Sequence, residues 1–169
     1  MATVTISAAE FPRDLDVVAE LFAAYAKSLN IDLSFQSFAD EVSQLPGKYA
    51  TDKGGALFLA YMADTSKAIG CVAVRALSPP AACELKRLFV VPDARGLGAA
   101  QRLMDAALNR AQKLGYSDIL LDSLANMTAA RKLYARYGFE EVDKYYDNPI
   151  AGTVFMKASL QGRARSHLN

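Results

Sequence analysis

The chain has few of the residues from which metal sites and disulfide frameworks are built. Its 169 residues include two cysteines, Cys71 and Cys83, and a single histidine, His167. Because there is no cluster of cysteine and histidine, the sequence predicts no metal centre. Both cysteines fall within apolar, strand-like stretches. We therefore expect two buried thiols, the alternative being a disulfide, which is rare in cytosolic proteins.

A large charge imbalance and long hydrophobic runs are also missing. The formal net charge is +1, so we expect no nucleic-acid partner, because nucleic-acid-binding domains usually carry a strong basic excess. No apolar run is long enough to span a bilayer, and the first residues lack the basic start and apolar centre of a secretion signal. These absences predict a cytoplasmic protein that binds neither nucleic acid nor membrane.

The length and the apolar content of 52% are typical of one globular domain. We expect this domain over 1–160 and a flexible tail over 161–169. The element order, β-α-α-β-β-β-α-β-α-β-β, predicts an α/β fold with an antiparallel meander and one later crossover. In this order the segment FEEVDKYY, 139–146, is predicted to be a strand. Four segments show helical periodicity: 14–30, 34–47, 97–114 and 126–138.

The segment VVPDARGLGAAQRLMD, residues 90–105, places an arginine and two glycines between a strand and a helix. A helix N-terminus offers unpaired N–H groups and a positive dipole, and Gly96 and Gly98 let a phosphate approach the backbone. Arg95 adds a forked cation, so the pattern indicates a pyrophosphate cradle. Glycines that only turn the chain are the alternative. Other phosphate loops fit worse, because Gly-Lys-Ser/Thr is absent and Gln101 occupies the third-glycine position of the dinucleotide motif.

The chain resembles the GNAT superfamily of acetyl-coenzyme A-dependent N-acetyltransferases in three pieces that follow the family's order. RGLGAA, 95–100, fits the signature of Arg or Gln, two residues, Gly, one residue, and Gly or Ala. ELKRLFVVPDA, 84–94, resembles the family's fourth strand, and NMTAARKLYARYGF, 126–139, resembles its second motif. The resemblance implies one GNAT-like domain with a mostly antiparallel, twisted sheet of six to seven strands and about four helices. The sheet would be splayed between its fourth and fifth strands.

The resemblance also implies acetyl-coenzyme A as the cosubstrate, with no metal. The pyrophosphate would lie on backbone N–H groups of the glycine loop, and the pantetheine arm would pair with the fourth strand like an added strand. Asn126 would contact the coenzyme, cap its helix, or do both. The predicted coenzyme-binding residues are Leu88, Phe89, Val90, Arg95, Gly96, Leu97, Gly98, Ala99, Ala100 and Asn126.

Two side chains are expected to transfer protons. A protonated amine cannot attack a thioester, so a base must accept a proton directly or through water. The resemblance gives this role to Glu84, and the alternative is a surface carboxylate paired with Lys86 or Arg87. Tyr134 would protonate the leaving thiolate. Its position on an apolar helical stripe also fits a tyrosine of the core.

These motifs do not specify the acceptor. The resemblance implies direct transfer, in a ternary complex, to a primary amine of a small molecule or amino acid. A protein or peptide acceptor and a non-catalytic acyl-coenzyme A sensor are the alternatives, and homodimers are common in the family. Several side chains would line the acceptor pocket or belong to the core: Tyr25, Phe35, Phe38, Tyr145, Tyr146 and Asn148.

Overall fold

A seven-stranded sheet forms the centre of the protein in a computed structural model that describes residues 3–78 and 81–163. The strands are β1 Val4–Ala8, β2 Ala56–Met62, β3 Ala68–Ala76, β4 Ala82–Val90, β5 Asp118–Ser123, β6 Glu140–Val142 and β7 Val154–Ser159. Their order across the sheet is β1-β2-β3-β4-β5-β7-β6. Neighbouring strands are antiparallel except β4 and β5, which are parallel. This confirms the predicted single α/β domain with a mostly antiparallel sheet.

Four α-helices lie in the described part of the chain, as predicted. They are α1 Leu15–Leu29, α2 Phe38–Ser43, α3 Ala99–Lys113 and α4 Thr128–Arg136. The second helix is shorter than its sequence pattern, because Ser34–Gln36 forms a 3-10 turn and Ser37 takes a left-handed backbone with φ 54°. This break leaves α2 only six residues long.

The sheet separates two hydrophobic cores. On one face α3 packs against β2, β3 and β4 and buries Leu103 and Leu108. On the other face α1 buries Phe22 against the central strands. Because side chains alternate along a strand, Val72 belongs to the first core and Ala73 to the second.

The structure also bears on the two cysteines, on membrane-spanning helices and on potential metal ligands. Cys71 and Cys83 are both free and buried, so the alternative of a disulfide does not hold. Across 3–78 and 81–163, no helix combines the length and apolarity needed to cross a membrane. The same residues contain no group of three or more potential metal ligands. Residues 164–169 lie outside the described residues, so the flexible tail stays a prediction.

Strands β4 and β5 pair over a short distance and then separate. Residues 82–84 of β4 pair with 118–120 of β5, whereas β5 pairs with β7 along its whole length. Residues 85–90 of β4 therefore have no neighbouring strand on the β5 side. This opening is the predicted splay, and it exposes backbone hydrogen-bonding groups at the edge of β4.

The last hairpin departs from the strand predicted over 139–146. Strand β6 ends at Val142, and the two tyrosines that follow leave the sheet. The rings of Tyr145 and Tyr146 pack edge-on against Phe155 of β7, with centroids 5.3 and 5.4 Å away. The chain therefore carries both hydroxyls back toward the splay.

Candidate active site

A cleft of about 730 Å³ lies at the splay, bounded by β4, the glycine loop and α4. Leu97 is exposed and does not line it. The structure brings together the other residues that the sequence predicted for the coenzyme: Leu88, Phe89, Val90, Arg95, Gly96, Gly98, Ala99, Ala100 and Asn126.

The glycine loop has the backbone that an anion site requires. Gly96 and Gly98 both have φ 83°, a conformation that side-chain-bearing residues rarely adopt. Beyond the chain neighbours, no described atom lies within 4 Å of the position of a Cβ on either glycine. Gly98 is also the N-cap of α3, and no side chain caps the helix. The loop therefore offers open space and unpaired N–H groups.

The charge of the cleft also suits an anion. Its charged lining residues in the described chain are Arg95, Lys132 and Arg136, and no carboxylate is among them. Arg95 Nε donates a hydrogen bond to the carbonyl oxygen of Val90 at 3.3 Å. This bond ties the glycine loop to the end of β4.

Asn126 lines the cleft but is not a helix cap. Helix α4 begins at Thr128 with Met127 as its N-cap, and no side-chain hydrogen bond caps it. The capping part of the prediction is therefore wrong, because the helix starts one residue further along. The side chain of Asn126 is exposed at the cleft wall, where its amide is accessible to a ligand.

A smaller cavity of about 40 Å³ adjoins the cleft. Both are lined by Tyr25, Leu88 and Met127. Tyr134 lines the smaller cavity, and its ring packs against Phe139 with centroids 5.8 Å apart. Its hydroxyl makes no hydrogen bond to the described chain, and burial raises the pKa of the phenol well above its ordinary value. Tyr134 is therefore packed and also open to the cavity.

A β-bulge in β4 directs two consecutive cations toward the same face of the sheet. Lys86 and Phe89 pair with β3 residues only two positions apart, so Arg87 and Leu88 stand opposite a single residue. Arg87 has φ 60°, a left-handed backbone that costs a non-glycine residue about 1 kcal/mol or more. Lys86 Nζ and Arg87 Nη1 both donate to Gln36 Oε1, at 3.4 and 2.9 Å. The bulge thus interrupts the strand's alternation.

Arg87 is held by a buried, bidentate ion pair. Its Nε and Nη2 donate to the two carboxylate oxygens of Glu41 at 2.9 and 3.1 Å, and its side chain is 1% exposed. The guanidinium lies 5.5 Å from the ring centroid of Tyr25 and 5.1 Å from that of Phe38. Burial acts to lower the pKa of Arg87, but Glu41 outweighs it and raises the pKa. The pair fastens α2 to the bulge.

Glu84 is buried in a separate cluster and lines neither cavity. Its Oε1 lies 2.8 Å from Arg75 Nε and 3.8 Å from Lys86 Nζ, and its Oε2 accepts a hydrogen bond from the Tyr145 hydroxyl. Burial acts to raise the pKa of the carboxyl, but Lys86, Tyr145 and Arg75 together lower it. Because Glu84 is 1% exposed, the surface position in the alternative is wrong, whereas the expected pair with Lys86 is present at 3.8 Å. Its role as the base stays a prediction.

Asp122 on β5 forms part of the wall of the smaller cavity. Its Oδ2 accepts hydrogen bonds from the Tyr146 hydroxyl and from Asn148 Nδ2, the latter at 3.3 Å. Gln36 Nε2 donates to the same tyrosine hydroxyl at 3.3 Å. A continuous polar network therefore crosses the splay from the bulge of β4 to β5.

The side chains predicted around the acceptor take different positions. Tyr25 and Asn148 line the smaller cavity, Phe38 packs on the bulge arginine, and Tyr145 and Tyr146 hold the two carboxylates. The side chain of Phe35 lies outside the described part of the structure.

Three residues of the site were not predicted from the sequence: Gln36, Glu41 and Asp122. None belongs to a local motif, because a bulge and a short helix remote in sequence bring them together. The available signal was a pair of adjacent cations, Lys86 and Arg87, inside a strand that is otherwise largely apolar. Such a pair needs buried partners.

The sequence of the chain matches a known family and several known proteins. Residues 53–141 match the family described as Acetyltransferase (GNAT) domain. The chain is 36% identical to an uncharacterised N-acetyltransferase of Schizosaccharomyces pombe over 159 residues, which cover 94% of this chain and 96% of the relative. The chain belongs to the GNAT acetyltransferase family.

Other GNAT relatives extend the comparison. An uncharacterised N-acetyltransferase of Dictyostelium discoideum is 30% identical over 207 aligned residues, with coverage of 87% of this chain and 95% of the relative. The PaiA N-acetyltransferase of Thermoplasma acidophilum, solved in complex with coenzyme A, has the same fold. Its TM-score is 0.71 at 17% identity, over 93% of this chain and 99% of that one. This GNAT protein is an acyltransferase.

Replacement of Glu41 by Gln should lower the free energy of unfolding by about 3 kcal/mol, because Arg87 would stay buried without its counter-charge. Equilibrium urea denaturation measures the loss. The control is Glu141→Gln, which breaks an exposed ion pair with Arg131 at 3.1 Å and should cost less than about 1 kcal/mol. Equal losses in the two variants would show that the buried pair does not stabilise the fold.

Proposed function

We propose that the protein transfers an acetyl group from acetyl-coenzyme A to the primary amine of a small molecule, directly and within a ternary complex. The observation that carries this proposal is that two cavities meet at the splay, where Tyr25, Leu88 and Met127 line both. If the pantetheine arm extends along the edge of β4, the thioester at its end would lie at this junction. An amine in the smaller cavity can then attack it without a covalent enzyme intermediate.

The larger cleft supports the coenzyme half of the proposal. The pyrophosphate would accept hydrogen bonds from N–H groups of 96–100 and an interaction from Arg95, in a lining without carboxylates in the described chain. The pantetheine arm would pair with 88–90, because β5 has left that edge of β4. Both contacts use backbone groups that the fold leaves free.

The reaction forms a C–N bond and breaks a C–S bond. The neutral amine attacks the thioester carbonyl carbon, the nitrogen gives up a proton, and the thiolate takes one. We assign the second proton to Tyr134, since a buried phenol with a raised pKa stays protonated. Glu84 stays the predicted base. Because it lines neither cavity, it would need a relay through water or a neighbouring side chain.

A small acceptor is favoured by the size of the second cavity, about 40 Å³. Its wall includes Gln36 from the segment before α2, and Asn148 and Ile150 from the segment between β6 and β7. These two segments limit the size of an acceptor that the cavity can hold. A cytoplasmic location and homodimer formation stay predictions.

The direct test of this function is thiol release from acetyl-coenzyme A across a panel of primary amines, amino acids and peptides. We expect coenzyme A to appear only with an acceptor and in equal amount to the acetylated amine, measured by mass spectrometry. Tight binding of acetyl-coenzyme A without release on any acceptor would instead support a non-catalytic sensor.

Replacement of Gly98 by Val should weaken acetyl-coenzyme A binding by about tenfold or more, about 1.4 kcal/mol, because the side chain would occupy the open space above the loop. Isothermal titration calorimetry measures the affinity. The control is Gly115→Val, since Gly115 also has a positive φ, 90°, and no neighbour within 4 Å of a Cβ. Both variants carry the same backbone strain, so equal affinities would show that the loop does not hold the coenzyme.

Replacement of Tyr134 by Phe keeps the packed ring and removes the proton donor. We expect kcat to fall by about 10²-fold or more, with little change in the affinity for acetyl-coenzyme A. The control is Tyr137→Phe, at the residue that directly follows the same helix, which removes a hydroxyl bonded to Asp105 at 2.9 Å. Steady-state kinetics distinguish the two, and a near-normal kcat for Tyr134→Phe would return this tyrosine to a packing role.

A further inference from the structure

Lys86 is a nearly buried cation that shares both of its partners with an arginine. Its side chain is 11% exposed, and it lines the smaller cavity. Its nearest acceptors are Gln36 Oε1 at 3.4 Å and Glu84 Oε1 at 3.8 Å. Both oxygens already take shorter bonds, from Arg87 at 2.9 Å and from Arg75 at 2.8 Å. An ammonium group has three donors, so Lys86 retains unused hydrogen-bonding capacity where water is scarce.

Asp122 is the corresponding anion on the opposite side of the splay. Both hydrogen bonds that it receives, from Tyr146 and Asn148, end on Oδ2. Its Oδ1 accepts none from the described chain. Lys86 and Asp122 line the same cavity, but no direct ion pair joins these two described residues. The cavity therefore separates a cation from an anion.

The remaining charges around the cavity are already neutralised. Arg87 is paired with Glu41 at 2.9 Å, and Arg75 is paired with Glu84 at 2.8 Å. A simple amine would bring a second positive charge close to Lys86, where low exposure makes the repulsion strong. A molecule that carries an ammonium and a carboxylate would instead supply a counter-charge to each wall.

We propose that the acceptor is a zwitterion, such as a free amino acid, whose carboxylate binds Lys86 and whose amine donates a hydrogen bond to Asp122. This inference rests on the proposed function and names the substrate class of the same site. The bulge has a direct part in it, because it turns Lys86 toward the cavity beside the point of acetyl transfer. Lys86 is then the residue that distinguishes amino acids from other amines.

The test compares matched acceptors in steady-state transfer. Each amino acid of a panel is assayed beside its carboxamide and its decarboxylated amine. We expect kcat/KM to be about tenfold or more higher for the amino acid. Lys86→Met should lower kcat/KM for the amino acid by about tenfold or more, mainly through KM, and should lower that of the carboxamide by a smaller factor. Lys86→Arg keeps the charge and should keep the preference.

A matched control removes a lysine that is remote from the cavity. Lys67 is exposed in the turn between β2 and β3, and Lys67→Met should behave like the wild type. Thermal unfolding of each variant shows whether it is folded. Should Lys86→Met fail to fold, the acceptor preference of the wild type and of Lys86→Arg still decides the question.

Two outcomes would overturn the proposal while leaving acetyl transfer intact. One is a wild-type preference for carboxamides or decarboxylated amines, and the other is an equal loss on all acceptors in folded Lys86→Met. A binding measurement without turnover tests recognition of the acceptor separately from acetyl transfer. Calorimetry follows the binding of N-acetyl amino acids to the protein loaded with coenzyme A. Binding that weakens about tenfold or more in Lys86→Met supports the inference even if no transfer occurs. Failure of the wild type to bind any of these products and to acetylate any amino acid rejects it.

Discussion

The buried ion pair between Arg87 and Glu41 is the interaction on which the rest of the site depends. Arg87 lies in the bulge of β4 with a left-handed backbone, which by itself costs about 1 kcal/mol or more. The bidentate bonds to Glu41 and the rings of Tyr25 and Phe38 offset this cost. Because an unpaired guanidinium at this depth would cost several kcal/mol, α2 must stay against the bulge. The part of the smaller cavity's wall that contains Gln36 is thereby fixed in place.

Strand β4 contributes to both halves of the site, through its bulge and through its free edge. Toward β3, the bulge places Lys86 and Arg87 on the same face and so supplies the charges around the smaller cavity. Toward β5, pairing ends at residue 84, and 85–90 keep a free backbone edge along the cleft. Within the bulge, the carbonyl oxygen of Arg87 accepts a hydrogen bond from the buried thiol of Cys71 at 3.2 Å. In a regular strand, Lys86 and Arg87 would point to opposite faces of the sheet.

Local patterns predicted the parts of the molecule that depend on neighbours in sequence. The element order follows from periodicity, and Gly98 was identifiable because an arginine and two glycines stand between a strand-like and a helical pattern. The partners of the bulge were not predictable in this way. Gln36 lies 50 residues from Lys86, and Tyr146, which looked like strand, leaves the sheet so that its hydroxyl can bind Asp122. These partners are brought together because buried charges must be paired, and the spacing of residues along the sequence does not indicate them.

Burial also bears on the proposed chemistry, in which Glu84 lies away from both cavities. A free alkylamine with a pKa near 10.4 costs about 4 kcal/mol to neutralise near pH 7.4. Desolvation in the smaller cavity opposes the charge of an ammonium, whereas Asp122 on its wall opposes the loss of that charge. The same desolvation keeps the phenol of Tyr134 protonated. The proposed reaction therefore still requires a base, because Asp122 stabilises the proton that the amine has to lose, and the buried Glu84 would reach that proton only through a relay.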